Sequence, residues 1–242
     1  MIRRVDKAVD DLLQLLRDLK IDNNTLVVFT SDNGPHHEQH DPRFFESFGE
    51  MDGTKRDLWE AGIRVPAMAW WPGQIPAGTS SSISSGIWDW LPTFSEAAKM
   101  PVPAYTDGIS LMPSLTQQNP SQTRDYLYFE YYHSSSTQAY DEFEPAKRGR
   151  TRKQMQAIRI GDFKGIRYNI KNHADDFEIY NVVSDPQEKT NLSSSMRELN
   201  QTMKDKVLQV RLVNSSASRP YDSHPIAGTK PESIRQDWTV GY

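Results

Sequence analysis

Ile2, Val5, Val9, Leu12, Leu13, Leu16 and Leu19 recur at spacings of three and four, with Arg, Lys and Asp between them. That period predicts an amphipathic helix over residues 2–20. No capping residue precedes the first periodic position, so the pattern predicts a segment upstream of Met1. After the turn residues Asp22-Asn23-Asn24 comes Thr25-Leu26-Val27-Val28-Phe29-Thr30, an apolar run without polar alternation. Such a run predicts a strand covered on both faces, as in a mostly parallel sheet, and helix plus strand form half of an α/β unit. Residues 31–53 are polar and rich in Asp, His and Gly and read as a long loop, and Asp57–Glu60 reads as a helical turn. A second apolar run, Ala67-Met68-Ala69-Trp70-Trp71, stops at Pro72-Gly73. Asp89 is placed to cap a helix running to Lys99, with Pro92 tolerated in its first turn.

Beyond a Pro-rich connection over residues 100–124 the pattern changes. Tyr126–Tyr132 reads as a strand, Met155–Ile160 and Phe163–Ile170 as a hairpin around Gly161-Asp162, and Phe177–Asn181 as a further strand. Neighbouring strands with short turns predict an antiparallel sheet. Ser195–Val213 reads as a second amphipathic helix, and the tail from Ser218 as irregular. Residues 134–154 read as an exposed loop, and the run Lys147-Arg148-Gly149-Arg150-Thr151-Arg152-Lys153 as an ordinary exposed charge run or a contact for a polyanionic glycan. The expected division is residues 1–120, an α/β domain, and 121–242, an antiparallel subdomain with a packed helix and a polar tail.

With 36% hydrophobic and 25% charged residues among 242, the composition is that of a soluble globular protein. A net charge of −4 argues against nucleic acid as a partner. No apolar run approaches the roughly 20 residues of a membrane span. The absence of cysteine excludes disulfides, thiolate catalysis and thiolate metal sites within these residues.

Three segments carry candidate chemistry. In Thr30-Ser31-Asp32-Asn33-Gly34 two adjacent oxygen donors follow directly on a strand, where ligands of open α/β sheets bind. They suit a hard cation, and equally an Asx turn closing the strand. Lys55, in Lys55-Arg56-Asp57-Leu58-Trp59-Glu60, is either a point charge for a tetrahedral anion or part of a surface charge cluster. His36-His37-Glu38-Gln39-His40-Asp41 has no known zinc spacing and reads more simply as solvated loop polars than as a transition-metal site.

Taken in order, the Asn24–Gly34 segment, Lys55, Glu60-Ala61-Gly62-Ile63-Arg64-Val65-Pro66 and Trp70-Trp71-Pro72-Gly73 resemble the type I sulfatases of the alkaline-phosphatase-like superfamily. The likeness continues through Asp89-Trp90-Leu91-Pro92-Thr93, Asp107-Gly108-Ile109-Ser110-Leu111, Ile158–Lys164 and Ile179–Leu192. It implies the C-terminal part of an alkaline-phosphatase-like α/β domain, with its mostly parallel sheet, followed by a small α+β subdomain. It implies a sulfuric ester hydrolase with Asp32 and Asn33 as two of four ligands to Ca²⁺, or Mg²⁺. Lys55 then contacts the sulfate as a catalytic and substrate-binding group, and His36 lines the substrate pocket. The implied substrate is a sulfated small molecule or glycan, and the implied location is secreted, periplasmic or lysosomal.

The family's nucleophile is a formylglycine made from a Cys or Ser in Cys/Ser-x-Pro/Ala-x-Arg near the N-terminus, and no such motif stands ahead of Asp32 here; the one match, Ser215-Ser216-Ala217-Ser218-Arg219, lies near the other end. The resemblance therefore implies a missing N-terminal segment of the same enzyme, and a chain inactive alone. Asp52 stands near Lys55 and would weaken anion binding if it faced the site. Two alternatives stay open: a phosphatase or phosphodiesterase of the same superfamily, disfavoured because two-metal members carry Asp-His where this chain has Asp32-Asn33, and a non-catalytic pseudo-enzyme or binding module.

Overall fold

A computed structural model describes residues 2–38, 40–212 and 219–222. Its elements in order are α1 (Ile2–Asp18), β1 (Val27–Thr30), α2 (Glu60–Ile63), β2 (Ala67–Trp70), α3 (Trp90–Ala97), α4 (Met112–Leu115), β3 (Leu127–Ser136), β4 (Thr151–Ile160), β5 (Phe163–Arg167), β6 (Glu178–Asn181) and α5 (Arg197–Val210). The class is α/β with a C-terminal antiparallel-sheet subdomain. The chain divides into two compact units rather than at a single cut: Met1–Asp32 with Val65–Leu127, and Asn33–Arg64 with Tyr128–Tyr242.

In the first unit β1 pairs antiparallel with β2, Val27 opposite Trp70 and Thr30 opposite Ala67. The mostly parallel sheet expected around β1 has no strand pair among the described residues. Helix α1 forms where the period places it, yet none of its residues is buried. Asp89 is fully buried but makes no side-chain cap on α3. Its carboxylate instead accepts Gly86 N at 2.7 Å and Ile109 N at 2.9 Å and pairs with Arg124. Thr93 Oγ1 accepts Leu111 N at 2.9 Å, so the 89–93 and 107–111 segments fold together.

The second unit holds a four-stranded sheet of order β3-β4-β5-β6. β4 and β5 form the expected hairpin, Ile160 opposite Phe163, with Gly161 at φ 59° in the two-residue loop. Ile158, Gly165 and Ile179 share one face, where Met203 of α5 closes on Gly165. The opposite face presents Ala157, Ile166 and Tyr180 to Leu58 and Trp59. Trp59 has no exposed surface; Tyr168 stacks on it at 5.1 Å and Tyr180 meets it edge-on at 6.0 Å.

Two expectations are corrected here. Residues 134–154 are not an exposed loop: β3 runs to Ser136, β4 starts at Thr151, and Thr137, Phe143, Lys147 and Arg152 between and within them are buried. Nor is the basic run a solvated face, because Lys147 and Arg152 turn inward to the buried carboxylates of Asp52 and Asp57. The tail expectation lies outside the described residues apart from 219–222. There Tyr221 is fully buried and bonds Gln154 at 2.7 Å and Glu130 at 3.0 Å through its hydroxyl.

Candidate active site

Lys55 sits on a β-turn that the rest of the second unit holds in place. Asp57 N donates to Thr54 O at 2.8 Å, closing a turn over Thr54-Lys55-Arg56-Asp57. Arg56 takes φ 81°, as the third residue of a type II turn does. The Asp57 carboxylate then accepts Thr54 N at 3.0 Å, so it also ties down the residue just before Lys55.

That carboxylate is fully buried and satisfied from the sheet. Arg152 of β4 donates Nε to Oδ1 at 2.7 Å and a terminal nitrogen to Oδ2 at 2.9 Å, and Thr137 donates to Oδ1 at 2.7 Å. Two further acids of the same segment are clamped alike. Asp52 receives Lys147 Nζ at 3.0 Å, Gln187 Nε2 at 3.0 Å and Glu144 N at 2.9 Å. It is structural, and its charge is neutralised inside the fold rather than turned on an anion. Glu60 receives Lys164 Nζ at 2.9 Å, and the same ammonium lies 3.0 Å from Glu188. Burial pushes both carboxyls up, but Lys164 and the nearby arginines hold Glu60 below the usual carboxylate range, while Glu188, fully buried beside Glu60, stays above it. Removing one partner of such a pair strands a charge in the interior and costs about 3–5 kcal/mol.

Asn33 opens the second unit and Asp32 closes the first. Asp32 is exposed. The Asn33 amide nitrogen donates to Gly34 O at 2.8 Å. An Asn side chain carries a neutral oxygen donor of the kind a hard cation takes. Gly34 N donates to Gly62 O at 3.0 Å, and Lys55 N to Pro35 O at 2.8 Å. A Cβ on Gly34 would lie 1.7 Å from Ala61 O, and one on Gly62 2.4 Å from Asp57 O, so only glycines allow these backbones to approach. The packing places the 33–36 segment against the Lys55 turn. The Lys55 side chain is half-buried, and its ammonium has no ion pair or hydrogen bond among the described residues.

His36 is turned toward Glu38: its Nδ1 accepts Glu38 N at 3.1 Å and its Nε2 lies 3.4 Å from the Glu38 carboxylate, which also pairs with Arg56. His36 and His37 stack at 5.6 Å. His37 Nε2 meets Gln138 Nε2 at 3.0 Å, while its buried Nδ1 has no hydrogen-bond partner among the described residues. Burial, His36 and Arg152 lower the His37 pKa. Among the described residues no three His, Cys, Asp or Glu side chains converge on one point as a metal site.

Residues 1–100 match the Sulfatase family model. Over these residues the chain is a member of the sulfatase family. It is 37% identical over 129 residues to N-acetylgalactosamine-6-sulfatase of Sus scrofa, covering 52% of this chain and 24% of that protein. It is 31% identical over 190 residues to N-acetylglucosamine-6-O-sulfatase of Bacteroides thetaiotaomicron, covering 78% of this chain and 30% of that protein. A solved structure of a protein in complex with its substrate D-glucosamine-2-N,6-O-disulfate superposes with a TM-score of 0.64 at 26% identity, over 86% of this chain and 39% of that one. The sulfatase chain described here thus spans about a quarter to two fifths of the relatives it matches.

Sequence reasoning singled out Asp32, Asn33, His36 and Lys55 but missed Asp57 and Arg152, which hold the lysine turn. Their signal was the alternation Arg150, Arg152, Gln154, Gln156 in a strand register, obscured because the inward side chains are polar.

Proposed function

We propose that the chain forms one wall of the active site of a sulfuric ester hydrolase that acts on a sulfated sugar. One observation carries this reading: a half-buried ammonium without a partner among the described residues, Lys55, stands on a clamped turn whose backbone bonds the segment starting at Asn33. Asp32 and Asn33 are two oxygen ligands of a divalent cation, Ca²⁺ or Mg²⁺, and the neutral amide adds a ligand without adding charge that repels sulfate. When bound, the cation supplies Lewis-acid polarisation of a sulfate oxygen.

Lys55 holds a sulfate oxygen as a point charge and offsets the charge that builds on the ester in the transition state. Its turn is fixed before substrate arrives, so little reorganisation opposes that interaction. His36 borders the same segment and contacts the sugar side of the ester. A sulfated glycan is favoured as substrate because the glycosaminoglycan-type sulfatases among the relatives act on sulfated amino sugars.

The nucleophile is assigned to a segment outside these 242 residues, which hold no Cys and whose one Ser-x-Ala-x-Arg, at Ser215, stands far downstream of Asp32 rather than ahead of it. The chain alone is expected to show no turnover of 4-methylumbelliferyl sulfate. Joined to a formylglycine-bearing N-terminal segment it is expected to turn over. There Lys55→Ala lowers kcat/KM on the order of 100-fold, as loss of one transition-state charge contact does, without lowering Tm. Full activity in Lys55→Ala sinks the assignment.

A further inference from the structure

Arg56 occupies a backbone position that its side chain makes costly. At φ 81° a residue with a Cβ is strained, and the type II turn favours Gly there. The clamp on Asp57 explains how the strain is borne but not why an arginine bears it. The side chain itself is a half-buried guanidinium immediately after Lys55. One terminal nitrogen pairs with Glu38, whose carboxylate is also approached by His36 Nε2. Its Nε and other terminal nitrogen make no hydrogen bond among the described residues. Glu38 thus orients a planar cation while leaving donors open, beside the lysine assigned to the scissile sulfate.

We propose that Arg56 reads a second anionic group of the substrate, a sulfate or carboxylate elsewhere on the sugar, through its open donors. This rests on the sulfatase reading of Lys55 and narrows the substrate class to glycans carrying at least two anions. A guanidinium matches the flat or trigonal array of anionic oxygens better than an ammonium does. The strained backbone is then the cost of placing that charge where the turn alone would take glycine.

The test titrates the full chain in Ca²⁺ with glucosamine-6-sulfate and with glucosamine-2-N,6-O-disulfate, followed by NMR, for the wild type, Arg56→Gly, Arg56→Lys and Lys55→Ala. Arg56→Gly relieves the backbone, so its Tm is expected at or above that of the wild type, which removes misfolding as an explanation. Its preference for the disulfate over the monosulfate is expected to fall on the order of 10-fold, the size of a lost charge-assisted hydrogen bond. Arg56→Lys keeps part of that preference. Lys55→Ala weakens both sugars alike. An unchanged preference in Arg56→Gly overturns the inference while the Lys55 effect leaves the sulfatase reading standing. A Lys55→Ala variant that binds both sugars as the wild type does overturns the assignment of Lys55 to the scissile sulfate, and a wild-type chain without preference for the disulfate overturns the Arg56 inference.

Discussion

Trp59 of the second unit has no exposed surface, whereas Leu12, the centre of the most regular apolar stripe in the sequence, is 62% exposed in the first. The two units also differ in their ion pairs. In α1, Lys7 and Asp11 meet at 2.7 Å on open surface, one helical turn apart. In the second unit Arg152 and Asp57 meet at the same distance with no exposure at all, 95 residues apart in sequence. A stripe reports a capacity to bury, not burial, and a short ion pair acquires structural weight only where water is excluded. The lysine turn inherits its rigidity from the second kind of contact.

Trp59→Ala is expected to have the largest effect, a loss of about 3–5 kcal/mol in urea unfolding followed by sheet signals, since the indole fills the centre of the buried face. A loss below about 1 kcal/mol would remove the distinction between the units. Gly34→Ala comes next at about 1–3 kcal/mol, because a methyl against Ala61 O forces the backbone apart. The same variant shifts the Lys55 amide resonance; an unmoved Lys55 amide would show that the 33–36 segment does not seat the turn.

Acid should act through the partly buried Arg150–Glu178 pair, whose nitrogens and oxygens meet at 2.5 and 2.9 Å. Burial raises the Glu178 carboxyl, but Arg150, with Tyr180, more than offsets it and holds the group below its usual value of 4.5. A depressed folded pKa means the contribution is complete above about pH 4.5 and is lost as pH falls through the folded value. Arg150→Ala is therefore expected to flatten the fall of stability below pH 4.5, by about 1 kcal/mol. An unchanged acid limb places that dependence elsewhere. Leu12→Ala closes the series at under about 0.5 kcal/mol, as an exposed position allows, and α1 amides exchange far faster than those of β4 and β5.

Much of this was legible in the chain. The strand ahead of Asp32, the Gly161 hairpin and α5 follow from periodicity and turn chemistry, and the family motifs pointed to Lys55. The clamp was not legible, because Asp52, Asp57 and Glu60 find their cations about 95 to 105 residues downstream, the first two of them in a run that resembles solvated surface. Arg56 hid for a related reason: only the backbone angle shows that it stands in a glycine's place.

The central proposal is that Asn33, with its chain neighbour Asp32, supplies oxygens to a cation, the Lys55 turn packing against the segment that Asn33 begins. Mn²⁺ in place of Ca²⁺ broadens nearby amide resonances even when binding is weak. Titration of the isotopically labelled chain is expected to broaden residues 32–36 and 54–56 first, and Asp32→Ala to abolish the effect. Broadening centred elsewhere, or undiminished in Asp32→Ala, would contradict the account.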